Sequence, residues 1–164
     1  MENPEKVVII GNGFDLNLGL ETSYDSFLNS PNFGELIENK NTLAVHLKEK
    51  HSLKHWVDIE NEIGDLSEKK DTTIHHHEYN ALSNALINYL KKVDTSILRK
   101  DSEAYLFLEN IMDSPFRDTF LIVDFNYTDS VERILASLGI AENEIQDRIK
   151  KVHGTLKSGN IIFG

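Results

Sequence analysis

The spacing of apolar residues changes period along the chain, and each change marks an element. Lys6–Ile10, KVVII, is a β-branched run ending at Gly11, the pattern of a buried parallel strand. Gly11 to Asp15 should then form a turn that leads into a helix. Thr22 or Ser23 can cap a helix through Tyr24, Phe27 and Leu28 that stops before Pro31. Leu36 to Lys50 keeps a loose helical period, and Trp56, Ile59, Ile63 and Leu66 recur at spacings of three and four, which defines one apolar helix face. SEKKDTT, 67 to 73, has no period and reads as a surface connection. From Thr73, residues Leu82, Leu86, Tyr89, Leu90, Val93 and Ile97 predict the longest helix. Tyr105, Leu106, Leu108, Ile111 and Met112 predict another, ended by Pro115. TFLIVDF, Thr119–Phe125, is the clearest strand. Val131, Ile134, Leu135 and Leu138 then line a helix that stops at Gly139. Lys151–His153 and Asn160–Phe163 read as two short strands around a turn at Lys157–Gly159.

Strand, turn and helix at the start, a helical middle, and strand and helix again predict an α/β fold with a parallel sheet. A helical insertion spans about 30–118. The 164 residues, 40% of them hydrophobic, suffice for one core, so a single domain over 1–164 is expected. The closing IIFG is an apolar strand and a glycine without a polar tail, which suggests the N-terminal part of a longer, truncated protein. Charge narrows the functions: 17 basic against 27 acidic residues leave a formal charge of −10, which opposes nonspecific binding to nucleic acid. Without cysteine there is neither a disulfide framework nor a thiolate zinc site. MENPE lacks the regions of a signal peptide, and no apolar run reaches the roughly 18 residues of a membrane span, so a cytoplasmic protein is expected.

Four stretches could carry chemistry. In GNGFD, Gly11–Asp15, a turn between strand and helix points backbone N–H groups outward and its glycines admit a pyrophosphate. The third glycine of a dinucleotide fingerprint would fall at Leu16, so the spacing equally suits a tight turn with Asp15 as a helix cap. DFNYTDSVERI, Asp124–Ile134, sets Asn126 and Tyr127 at the carboxyl end of a strand, where open α/β sheets bind ligands. Asn126 equally suits a turn residue bonding its own backbone, and Thr128 or Asp129 can cap the next helix. VHG, Val152–Gly154, places a histidine, the usual general base near neutrality, between strand and glycine; a structural histidine is the alternative. In W-x-D-x-E, Trp56, Asp58 and Glu60, the two acids face apart on a helix, which favours a buried Trp beside solvated acids. Consecutive His75, His76 and His77 cannot share a helix face, and of His46, His51 and His55 only the last two can, so no metal is predicted.

Taken in order, GNGFDLNLGLETSYDSF, WVDIE, FNYTDSVERIL, VHG and IIFG resemble the motifs of the AbiH family, bacterial proteins of abortive infection by phage. The resemblance runs from Val8 to Gly164. That family is in turn similar to the sirtuin-like, Rossmann-like NAD-binding fold. Gly11, Asn12, Gly13 and Asp15 correspond to its first glycine motif, and Gly19, Leu20 and Glu21 to the second. Asn126 corresponds to its asparagine, and His153 with Gly154 to its catalytic histidine and glycine. Asp15, Glu21 and Thr128 replace a serine, a proline and an aspartate, which implies a more acidic pocket. The zinc module's cysteines are missing, so the resemblance implies NAD cleavage rather than deacylation. It implies NAD as substrate or ligand, Asn126 and His153 as catalytic residues, and Gly11, Asn12, Gly13, Phe14, Asp15, Gly19, Tyr127, Thr128 and Gly154 around the nucleotide. Its implied partners are that nucleotide and a homo-oligomer or phage-derived trigger; the alternative is a non-catalytic nucleotide-sensing or protein-interaction module.

Overall fold

Alternation decides the sheet. In the computed structural model, Phe120, Ile122 and Asp124 of strand Phe120–Asp124 are buried, while Leu121 and Val123 are half-covered, as in a strand packed mainly on one face. The structure describes residues 4–54, 59–68, 76–96 and 98–163, without the side chains of 53, 54, 60 and 66–68. Trp56, Asp58, His55, His75, Thr73 and Ile97 lie outside that description, as does the side chain of Leu66. The elements are, in order, β1 (Lys6–Ile10), α1 (Asn12–Asn17), α2 (Tyr24–Leu28), α3 (Pro31–Glu38), α4 (Thr42–Lys54), α5 (Ile59–Glu68), α6 (His76–Leu90), α7 (Glu103–Met112), β2 (Phe120–Asp124), α8 (Ser130–Ser137), α9 (Glu142–Arg148), β3 (Ile149–Lys151), β4 (Gly154–Thr155) and β5 (Asn160–Ile161).

β1, β2 and β3 form a parallel sheet in that order. Its register runs from Lys6↔Phe120 to Ile10↔Asp124 on one side and from Ile122↔Ile149 to Asp124↔Lys151 on the other. The strand expected to be buried on both faces, β1, is instead an edge strand with an open face: Val7 and Ile9 are 56% and 73% exposed, whereas Ile10 is buried. An apolar run reads alike whether one or both of its faces are covered. Two compact units are formed, one from Met1–Glu21 and Val93–Asn160, the other from Thr22–Lys92 and Ile161–Gly164.

In the sheet unit, Leu108 of α7, Phe120 and Ile122 of β2, and Val131, Ile134 and Leu135 of α8 are fully buried in one core. Val93, expected within the long helix, lies beyond α6 and packs on this core. α8 ends where Gly139, at φ 89°, takes a conformation other residues resist. Helix α9 has no counterpart in the sequence reading. It buries Ile145 and Arg148 in seven residues and has no side-chain cap, too little signal to read locally. The strand expected at Lys151–His153 is β3, Ile149–Lys151, which joins the parallel sheet because Ile149 is buried beside β2; the strand that pairs with β5 is β4, Gly154–Thr155, instead.

In the helical unit, Ser23 caps α2 and accepts from the Ser26 N–H at 3.0 Å. Pro31 does more than stop that helix: it opens α3, where its missing N–H costs nothing, behind the cap Ser30. The helical structure expected from Leu36 to Lys50 is divided between α3 and α4 at Lys40, whose φ is 55°. Asn41 then restarts the chain by accepting from the Ala44 N–H at 2.9 Å, and buried Glu78 accepts from the Thr42 N–H and hydroxyl, each at 2.8 Å. Phe27 packs edge-on against Phe33 and near Tyr89. No helix among the described residues is long and apolar enough to cross a membrane.

Candidate functional site

Three motifs meet because three parallel strands end together. The Phe125 N–H bonds the Ile10 carbonyl and the Val152 N–H bonds the Asp124 carbonyl, both at 2.9 Å, so pairing continues one residue past β2 and β3. Gly11, Asn126 and His153 are each the first residue beyond that ladder. They therefore share the carboxyl edge of the sheet, where open α/β sheets leave room for ligands.

The turn expected over Gly11–Asp15 shrinks to Gly11, which sits at the start of α1 without a side-chain cap bond. Asp15 neither caps that helix nor stands in the open. It is 1% exposed and accepts from the Thr128 hydroxyl at 2.6 Å and the Ser130 hydroxyl at 2.5 Å. Asn126 is also turned inward: its N–H bonds Asp124 Oδ1 at 2.8 Å and its Nδ2 donates to the Gly11 carbonyl at 3.3 Å. That amide ties the end of β2 to the end of β1. His153 is half-buried, edge-on to Phe125 at 5.2 Å and tilted against Tyr127 at 6.0 Å.

Lys151, unremarked in the sequence, is the hub beneath this edge. Its Nζ reaches Asp124 Oδ2 at 2.7 Å, Glu132 Oε1 at 3.2 Å and the Thr128 carbonyl, with its side chain 11% exposed and that of Asp124 wholly buried. A lysine at an inward position of a strand was the available signal, but solvated lysines are far commoner. Burial raises the pKa of Glu132, against the pull of Lys151, and its Oε2 is buried without a hydrogen-bond partner. Burial raises the pKa of Asp15 as well, opposed by the Ser130 and Thr128 hydroxyls.

A raised carboxylate binds its proton more tightly folded than unfolded. Its contribution to stability is therefore full at low pH and is lost as pH rises from the ordinary value of 3.8 through the folded value. Asp15→Asn removes this titration, so the unfolding free energy of the variant minus that of the native protein should climb as pH rises above about 4. Urea unfolding at several pH values measures it; a flat or falling difference would contradict the assignment.

Beside the same edge lies an open cleft of about 440 Å³, lined by Ile9 to Phe14, Asn17, Glu103, Ala104 and Phe107. It includes Gly11, Asn12, Gly13 and Phe14 of the expected set, but not Asp15, Asn126, Tyr127, Thr128, His153 or Gly154. Gly19 and Gly154 have φ of 84° and 83°, which gives each a backbone reason to be glycine, and a Cβ on Gly19 would also press on Arg99. Gly11 and Gly13 differ. Neither has positive φ, and a Cβ on either would meet nothing within 4 Å. Among the other candidates, His46 lies 3.2 Å from Glu62 and His51 2.7 Å from Asp25. No group of three metal-ligating side chains occurs among the described residues.

No curated protein and no solved structure matches the chain significantly. The model of one family, described as bacteriophage abortive infection AbiH, matches residues 7–164.

Proposed function

The chain belongs to the AbiH family, which implies a role in abortive infection by phage, and from that premise we propose that it binds a nucleotide at the carboxyl edge of its sheet and hydrolyses NAD. A Rossmann-like, sirtuin-like lineage for the fold is part of this reading. The observation that carries it is the pair Gly11 and Gly13: two glycines that neither packing nor backbone conformation requires, bordering a cleft at a strand end. Gly13 lies inside α1, where glycine costs about 0.5–1 kcal/mol relative to alanine. Close approach of a ligand to bare backbone accounts for keeping it.

In the proposed reaction a water oxygen attacks the ribose C1′ as the bond from C1′ to the nicotinamide nitrogen breaks. The bond's electron pair neutralises the departing ring, and the water's proton passes to His153. Asn126, through its tie to Gly11, holds the two strand ends at a fixed separation, and the positioning of water and ribose against them supplies the rate. Loss of NAD in the infected cell would then link the chemistry to abortive infection.

A non-catalytic nucleotide sensor is the second reading, favoured by the absence of Asn126 and His153 from the cleft lining. Release of nicotinamide from NAD by the purified protein, with and without phage lysate, separates the two: binding without release supports the sensor. Gly13→Ala tests the shared premise. It should stabilise the free protein by about 0.5–1 kcal/mol and weaken nucleotide binding. Stabilisation with undiminished binding would remove the ligand as the reason for the glycine.

A further inference from the structure

The cleft beside Gly11 has a chemical character of its own. Ile9 of β1 and Phe107 of α7, both lining it, are 73% and 45% exposed, large apolar surfaces left open to water. Glu103 and Phe107 stand four residues apart on α7 and so share one helix face. That face is fixed against the loop: Asn17, at the end of α1, accepts from the Ala104 N–H at 2.8 Å, while Ser102 caps α7 by accepting from the Tyr105 N–H at 3.2 Å. Among the described residues that line the cleft, Glu103 is the one ionisable group, and none is a lysine or arginine. An anionic wall repels a phosphate chain and attracts a neutral or cationic group that can donate hydrogen bonds.

We infer that this cleft is a ring subsite, holding a flat neutral or cationic heterocycle against Ile9 and Phe107 while the Glu103 carboxylate accepts from the ring's amino group. The inference rests on the nucleotide reading above and adds to it which end of the nucleotide lies here. Phosphates are placed outside the cleft, beyond the glycines. Stacking on an aromatic side chain is of a size that makes its loss visible, on the order of tenfold or more in affinity.

Calorimetric titration of the full chain with adenosine, inosine, NAD and pyrophosphate tests it. Adenosine should bind, compete with NAD and be preferred over inosine, which lacks the amino donor; pyrophosphate should not displace it. Phe107→Ala should weaken adenosine and NAD about tenfold or more. Glu103→Leu should erase the preference for adenosine over inosine. Both residues are exposed, and an unchanged urea midpoint shows that the fold is intact. NAD binding that ignores adenosine and survives Phe107→Ala overturns the ring subsite and leaves the nucleotide reading standing. Adenosine bound through Phe107 with no affinity for NAD keeps the subsite and overturns NAD as its ligand and as the substrate. Binding of neither overturns both.

Discussion

Lys151→Met should lower the unfolding free energy by about 3–5 kcal/mol, since removing one partner of a buried ion pair strands the other charge. Asp124 is the stranded group. It is fully buried, pairs in register with Lys151 across β2 and β3, and takes Lys151 Nζ on one oxygen and the Asn126 N–H on the other. Methionine keeps the stem that fills the space, so the loss reports charge rather than volume. The same ammonium holds Glu132 and the Thr128 carbonyl, and Asp15 adds a third carboxylate close by. Guanidinium unfolding measures the change. Adding Asp124→Asn to Lys151→Met should recover part of the loss, because the uncompensated charge goes with it. A cost below about 1 kcal/mol would place the pair in effectively aqueous surroundings.

On the hydrolase reading, His153→Ala should lower nicotinamide release by roughly 10²–10⁴-fold, the usual contribution of a positioned general base. Alanine also removes a ring that packs on Phe125 and Tyr127, so a second variant is needed. His153→Phe retains a ring there and loses the nitrogen that takes the proton. Activity lost in both variants, with the urea midpoint kept in the phenylalanine variant, assigns His153 as the base. Activity retained by His153→Phe would reduce the histidine to a packing ring.

The strands were legible because their signal is local. KVVII is β1 to the residue, TFLIVDF overshoots β2 by one residue at each end, and the buried faces of α6, α7 and α8 follow their apolar spacing except at Leu106, which is exposed. Parallel pairing of β1 and β2 brings GNG and FNY to one edge; VHG, read within a last hairpin, joins them because β3 pairs with β2 instead. Short α9 was missed for the complementary reason, having almost no apolar face. Boundaries moved where one residue's partner decided them, as Ile149 did for β3.

What the sequence alone determined is therefore the two long strands β1 and β2, the larger helices, and the edge at which GNG and FNY gather. Tertiary structure decided what each side chain does there. Asp15, a plausible cap or ribose ligand in its own stretch, is bound to Thr128 and Ser130, 113 and 115 residues away. Asn126 bonds the Gly11 carbonyl across 115 residues, and Glu103 and Phe107 line the cleft at the glycine loop because α7 packs in the sheet unit's core and is bonded to Asn17. Periodicity records which face of an element is buried. It carries no record of which distant group will meet a polar atom on that face, and a buried polar atom must meet one, because going without costs about 1–3 kcal/mol.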